Sequence, residues 1–129
     1  MLRRVVPALF AVLALIVAGC GGESTTGRGG ADVAKGKELF VSGCGSCHVL
    51  ADAGTQGKVG PNLDDAFGFG REQCFDDSSF FSVALAQIAI PSRDGAMPAD
   101  IYDGQDAVDV AAYVAGAAGI DRPCPTANE

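Results

Sequence analysis

The run Cys44-Gly45-Ser46-Cys47-His48 constrains this chain more than any other segment. C-x-x-C-H is the attachment signature of c-type haem. Two thiols three positions apart can each add to one vinyl group of a porphyrin, forming two thioether bonds. The histidine directly after the second thiol is then held beneath the haem plane, where its imidazole can bind iron. His48 is the only histidine in the chain, so no other residue can supply that imidazole.

Two other chemistries use similar spacing. A thioredoxin-like dithiol depends on a lowered thiol pKa. It calls for alternating strands and helices with a tryptophan beside the first cysteine, and the chain has no tryptophan. A structural zinc site needs a second close pair of Cys or His ligands, which the sequence lacks. Haem is the expectation that remains strongest.

Residues 1–19 read as an export signal. Arg3 and Arg4 precede an apolar stretch from Val5 to Val17, which is short for a bilayer span but fits a signal-peptide core. The stretch closes on Val17-Ala18-Gly19-Cys20, which resembles the lipobox of bacterial lipoproteins. That resemblance implies cleavage before Cys20 and lipidation of its side chain; an ordinary cleavage site with an incidental cysteine is the alternative. Residues 20–30, rich in Gly, Ser and Thr, then act as a flexible tether. Ten such residues reach at most roughly 35 Å. The expected location is the outer, extracytoplasmic side of the cell membrane, held by a lipid anchor.

Loss of Arg3 and Arg4 from nine basic residues leaves seven against 16 acidic ones, a mature charge of about −9. That balance excludes a nucleic-acid-binding role. The redox partners it favours are proteins of a membrane electron-transport chain that present a basic docking patch.

Residues 31–129 suffice for one small domain. Asp32 can cap a helix through Phe40, with Val33, Gly36, Phe40, Cys44 and Cys47 spaced to share a face. Val49 to Gly70, punctuated by glycines and Pro61, reads as loop. Ser78 and Ser79 offer caps for an apolar helix from Phe80 to Ile90, ended by Pro91 and buried against the cofactor. Pro91 to Tyr102 is a loop carrying Met97. Asp103 or Asp106 caps a last helix, with Gly116 and Gly119 as stops. No hairpin signal occurs, so the expected fold class is all-α, with three to five helices wrapped around one haem.

With these residues in place, the chain resembles class I (mono-haem) cytochrome c in its lipoprotein form. The likeness runs from about Ala31 to Gly119. Its parts are Gly36-Lys37-Glu38-Leu39-Phe40 before the haem motif, Gly60-Pro61-Asn62-Leu63, Ala96-Met97-Pro98, and Asp109 to Val114. The resemblance implies one haem c per chain, thioethers from Cys44 and Cys47, and His48 as proximal iron ligand through Nε2. It implies that the Pro61 carbonyl holds the other ring nitrogen and that Met97 is the second axial ligand. It also implies that Gly36 and Phe40 pack against Tyr113 where the first and last helices cross.

Met97 has a case of its own. It is the sole methionine after signal removal, it sits in a loop, and a thioether suits haem iron. A flexible core plug is the other common fate of methionine. With both axial positions filled by protein, the expected function is a single-electron carrier and not an enzyme. An open sixth position would instead suit a haem-based sensor or gas-binding protein. A fixed electron-transfer subunit of a larger oxidoreductase is a further alternative.

Cys74 and Cys124 remain. Two leftover thiols in an exported protein most often form a disulfide, with free or intermolecular thiols as the alternative. Arg71, Arg93 and the pairs Asp64-Asp65 and Asp76-Asp77 read as solvated charge, although an arginine could meet a haem propionate.

Overall fold

The computed structural model describes Thr26–Gly27, residues 30–92 and residues 95–125. The lipidation candidate Cys20, the signal segment and Arg93 lie outside the described residues. Four α-helices carry the described fold: α1 (Val33–Leu39), α2 (Leu63–Glu72), α3 (Asp77–Ala89) and α4 (Gly104–Ala117). A π-helical turn, Phe40–Cys44, continues α1. Two antiparallel pairs of two residues each complete the elements: β1 (Thr26–Gly27) with β2 (Ala31–Asp32), and β3 (Val49–Leu50) with β4 (Thr55–Gln56).

α1 starts where the sequence places it. The Asp32 carboxylate accepts from Lys35 N at 3.0 Å, capping an otherwise orphaned donor. α1 crosses α4 at Gly36, where a Cβ would overlap the Asp109 carbonyl. One turn on, Phe40 meets the Tyr113 ring edge-on at 5.8 Å. This is the crossing the resemblance implies. Asp109 is 1% exposed at the centre of it. Its Oδ1 accepts from Asp32 N at 2.9 Å and from Gln105 Nε2 at 2.8 Å, so the buried carboxylate is satisfied.

α2 corrects the reading of Val49 to Gly70 as loop. Asn62 caps it by accepting from Asp64 N at 2.9 Å, and Asp64 and Asp65 suit the positive end of the helix. Gly68 is buried inside it because the Arg122 side chain occupies the space a Cβ would need, and the Gly68 backbone lies where a Cβ on Gly119 would fall. Gly70 likewise yields to the Phe80 ring. These glycines make room at helix contacts and do not break the helix.

α3 begins at Asp77, three residues before the expected start at Phe80, so Ser78 and Ser79 lie inside its first turn. Asp76 is the cap, accepting from Ser79 N at 3.0 Å and from the Ser78 hydroxyl at 2.5 Å. The Asp76 carboxyl is held below its usual range by the Ser78 hydroxyl first and the Ser79 N–H next. α4 runs through Gly116 to Ala117, and the chain turns at Gly119 with φ +66°. Val110, Ala111, Val114 and Ala117 of α4 belong to the one buried cluster, with Phe40, Leu50, Ala84 and Ile88.

Arg71 corrects the reading of solvated charge. It donates through Nε to Ala118 O at 3.1 Å, through Nη2 to Ala115 O, and through Nη1 to Asp77 at 2.5 Å. Its guanidinium also lies 4.3 Å from the Phe80 ring centroid. It therefore closes the carbonyl end of α4, as cations do. Asp64 is equally engaged, accepting from Ala51 N at 2.8 Å and Gly119 N at 3.0 Å. Asp65 pairs with Arg122 at 2.6 Å.

Candidate haem site

The π turn sets the two thiols. Gly45 N donates to Phe40 O at 2.8 Å, and both Cys47 N and His48 N donate to Cys44 O, at 3.0 and 2.9 Å. The chain is thereby wound tightly through the whole Cys44-to-His48 motif. The space beside Gly43 holds Tyr102, and that beside Gly45 holds the Thr55 methyl.

The loop after the motif returns to fix the histidine. The β3–β4 pair closes it, aided by Leu50 N donating to Thr55 Oγ1 at 3.0 Å. Gly60 N then donates to Cys47 O at 2.8 Å, laying the Gly60 backbone against the imidazole so closely that a Cβ would overlap the ring. His48 Nδ1 sits 2.9 Å from Pro61 O. A carbonyl can only accept, so Nδ1 carries the proton and Nε2 keeps its lone pair for a metal.

Cys44, Cys47 and His48 open on a cavity of about 750 Å³. Met97 and Pro61 line the same cavity, as do Leu63 and Phe67 of α2 and Phe80, Ala84 and Ile88 of α3. Among the described residues, no Asp, Glu, Lys or Arg side chain lines it. Val59, Phe69, Phe75 and Val83 edge it and are each more than half exposed. A large, flat, apolar group would cover them, which burial favours. The donor set agrees: two thiols, one neutral imidazole and one thioether facing a common apolar space fit a covalent haem.

The thiols do not suit dithiol exchange. Burial, and then the neighbouring Cys47, push the Cys44 thiol up to about 11, opposite to the lowered value such chemistry needs. Among the described residues, no cluster of three or more His, Cys, Asp or Glu side chains is arranged to hold a metal ion.

Sequence reasoning passed over the α2 wall of the cavity and Phe75. Leu63, Ala66, Phe67 and Gly70 follow helical spacing, a signal the glycines masked. Cys74 and Cys124, expected as a candidate pair, are joined as a disulfide, and Cys74 takes φ +62° beside Phe75.

The cytochrome c family model matches residues 33–118, which takes in the haem motif, the cavity and all four helices. The chain belongs to the cytochrome c family. As in other cytochromes c, its cofactor is covalently bound haem c with its iron, and its activity is haem-based electron transfer. Among solved structures it is similar to the c-type cytochrome SorU from Sinorhizobium meliloti. The two share 33% identity over 67% of this chain and 91% of the other, with a TM-score of 0.49.

Proposed function

We propose that this cytochrome c is a class I, mono-haem single-electron carrier with His48 and Met97 as axial ligands, and that it relays electrons without catalysing a reaction of its own. The observation that carries the reading is the His48 Nδ1 to Pro61 O hydrogen bond, 2.9 Å long, beside a cavity that Met97 also lines. That bond fixes one imidazole tautomer and makes the ring a stronger ligand. Haem supplies a one-electron couple at iron. Cys44 and Cys47 hold the group in place, and the apolar wall excludes water. A thioether from Met97 would stabilise the reduced form and raise the potential.

The domain acts outside the cytoplasmic membrane, anchored through lipid on Cys20. The export pattern of residues 1–20 supports this. Its partners are redox proteins of a membrane electron-transport chain that present basic surface, in keeping with the acidic excess of the chain.

Optical spectra of the oxidised and reduced holoprotein test the ligand set. Low-spin covalent haem with a ferric iron–methionine charge-transfer band, lost in Met97→Ala, is the expected result. High-spin haem that binds carbon monoxide readily in the untreated ferrous protein would replace the carrier with a ligand-binding function. For the anchor, Cys20→Ser should move the holoprotein from the membrane to the soluble fraction.

A further inference from the structure

Tyr102 stands between Met97 and the start of α4, and its hydroxyl is engaged away from both. It donates to the Leu39 carbonyl at 2.8 Å and lies 3.3 Å from Ser42 Oγ. Leu39 is the last residue of α1, and the π turn that ends on Cys44 begins directly after it. Gly43, within that turn, leaves the space the Tyr102 ring fills, and a Cβ at Gly43 would overlap the ring and its hydroxyl. The same loop is tied to α3 by Asp100 N, which donates to Ile88 O at 2.9 Å. Nothing in C-x-x-C-H or in Met97-Pro98 points to this tyrosine.

We infer that Tyr102 is a positioning residue for the Met97 side of the haem site: its hydroxyl, held by the Leu39 carbonyl, fastens the Met97 loop to the turn that carries Cys44. The inference rests on Met97 being an axial ligand. A ligand carried on a loop is only as firm as the loop's attachment, because an outside ligand binds the fraction of molecules in which the loop has opened. Tyr102→Phe keeps the ring that fills the space beside Gly43 and removes only the hydrogen bond. It raises the open fraction without altering the covalent haem or His48.

The test is an imidazole titration of the ferric holoprotein, read as loss of the iron–methionine band, for the wild type, Tyr102→Phe and Tyr113→Phe. Tyr113→Phe also loses one hydroxyl contact, but to Asp52, in the turn between β3 and β4 and not in the Met97 loop. Tyr102→Phe should bind imidazole about tenfold more tightly, the factor expected for one lost hydrogen bond. Tyr113→Phe should bind it as the wild type does. Equal affinity in Tyr102→Phe and the wild type, or an equal gain in both variants, overturns the inference while leaving Met97 as ligand. Absence of the band from the wild-type protein overturns the Met97 reading and this inference together.

Discussion

The Tyr113 hydroxyl donates to Asp52 Oδ2 across 2.7 Å, joining α4 to the turn between β3 and β4. Lys37 Nζ reaches the same carboxylate oxygen at 3.0 Å and lies 5.9 Å from the Tyr113 ring centroid. The Tyr113 bond first, and Lys37 second, hold the Asp52 carboxyl below its ordinary value of 3.8. Burial, followed by the bond to Asp52, drives the Tyr113 hydroxyl upward. A carboxyl whose folded value is depressed adds stability that is complete above the unfolded value and fades as pH falls through the folded one. The wild type should therefore exceed Asp52→Asn in urea stability at pH 6, and the gap should close below pH 3.8. An equal gap at pH 6 and pH 2.5 would refute this role.

Arg71 should be among the costliest polar side chains to remove. Arg71→Ala would strip two carbonyls at the end of α4 of their donor and break the ion pair with Asp77. A loss of about 3 kcal/mol is expected, at the upper end for hydrogen bonds to a charged group. Arg71→Lys should recover little, since an ammonium cannot reproduce the fork. Urea denaturation of the holoprotein checks both, and a loss below about 1 kcal/mol for Arg71→Ala would be too small for a helix-closing role.

Two glycines should respond in opposite directions. Gly60→Ala places a methyl on the His48 ring, so the ring must leave the Pro61 carbonyl or the backbone must shift. Such overpacking costs about 1–3 kcal/mol. It should also raise the reduction potential, because an imidazole that loses its carbonyl acceptor donates less to ferric iron. Gly116, within α4, has open space where its Cβ would lie. Gly116→Ala should gain about 0.5–1 kcal/mol from helix propensity. Thermal melts and voltammetry of the pair decide the matter: like responses would argue against the contact at Gly60.

The Cys74–Cys124 disulfide spans 50 residues. A loop of that length is worth about 4 kcal/mol in the chain-entropy account. Cys74→Ser with Cys124→Ser should lose stability of that order while keeping covalent haem. Mass spectrometry after alkylation without reductant should find neither thiol modified in the wild type.

Much of this was legible in the sequence because the decisive chemistry is local. Cys44, Cys47 and His48 state their role in five consecutive residues. Asp32, Gly36 and Phe40 place α1 by cap and period. α2 escaped because Gly68 and Gly70 read as breaks, whereas they are contact points: the reason for Gly68 lies in the distant Arg122 side chain, and that for Gly70 in the Phe80 ring of the next helix. Arg71 looked solvated for the same cause: its acceptors are backbone carbonyls of a remote helix, and a carbonyl has no sequence signature. The β3–β4 pairing, only two residues on each side, is too short to show alternation. The cap of α3 moved from the serines to Asp76, a choice between neighbouring good caps that composition alone does not rank.

The ion pairs of the fold have one more effect. Lys35 is spent on Asp106, Lys37 on Asp52, Arg71 on Asp77 and Arg122 on Asp65. Cations matched in this way cancel at short range and contribute little to the potential a nanometre from the surface. What projects into solution from the described residues is the surplus of carboxylates, so an approaching cationic protein is drawn in before any contact forms. The speed of such encounters should fall steeply as ionic strength rises, while the grip of the protein on its haem stays the same.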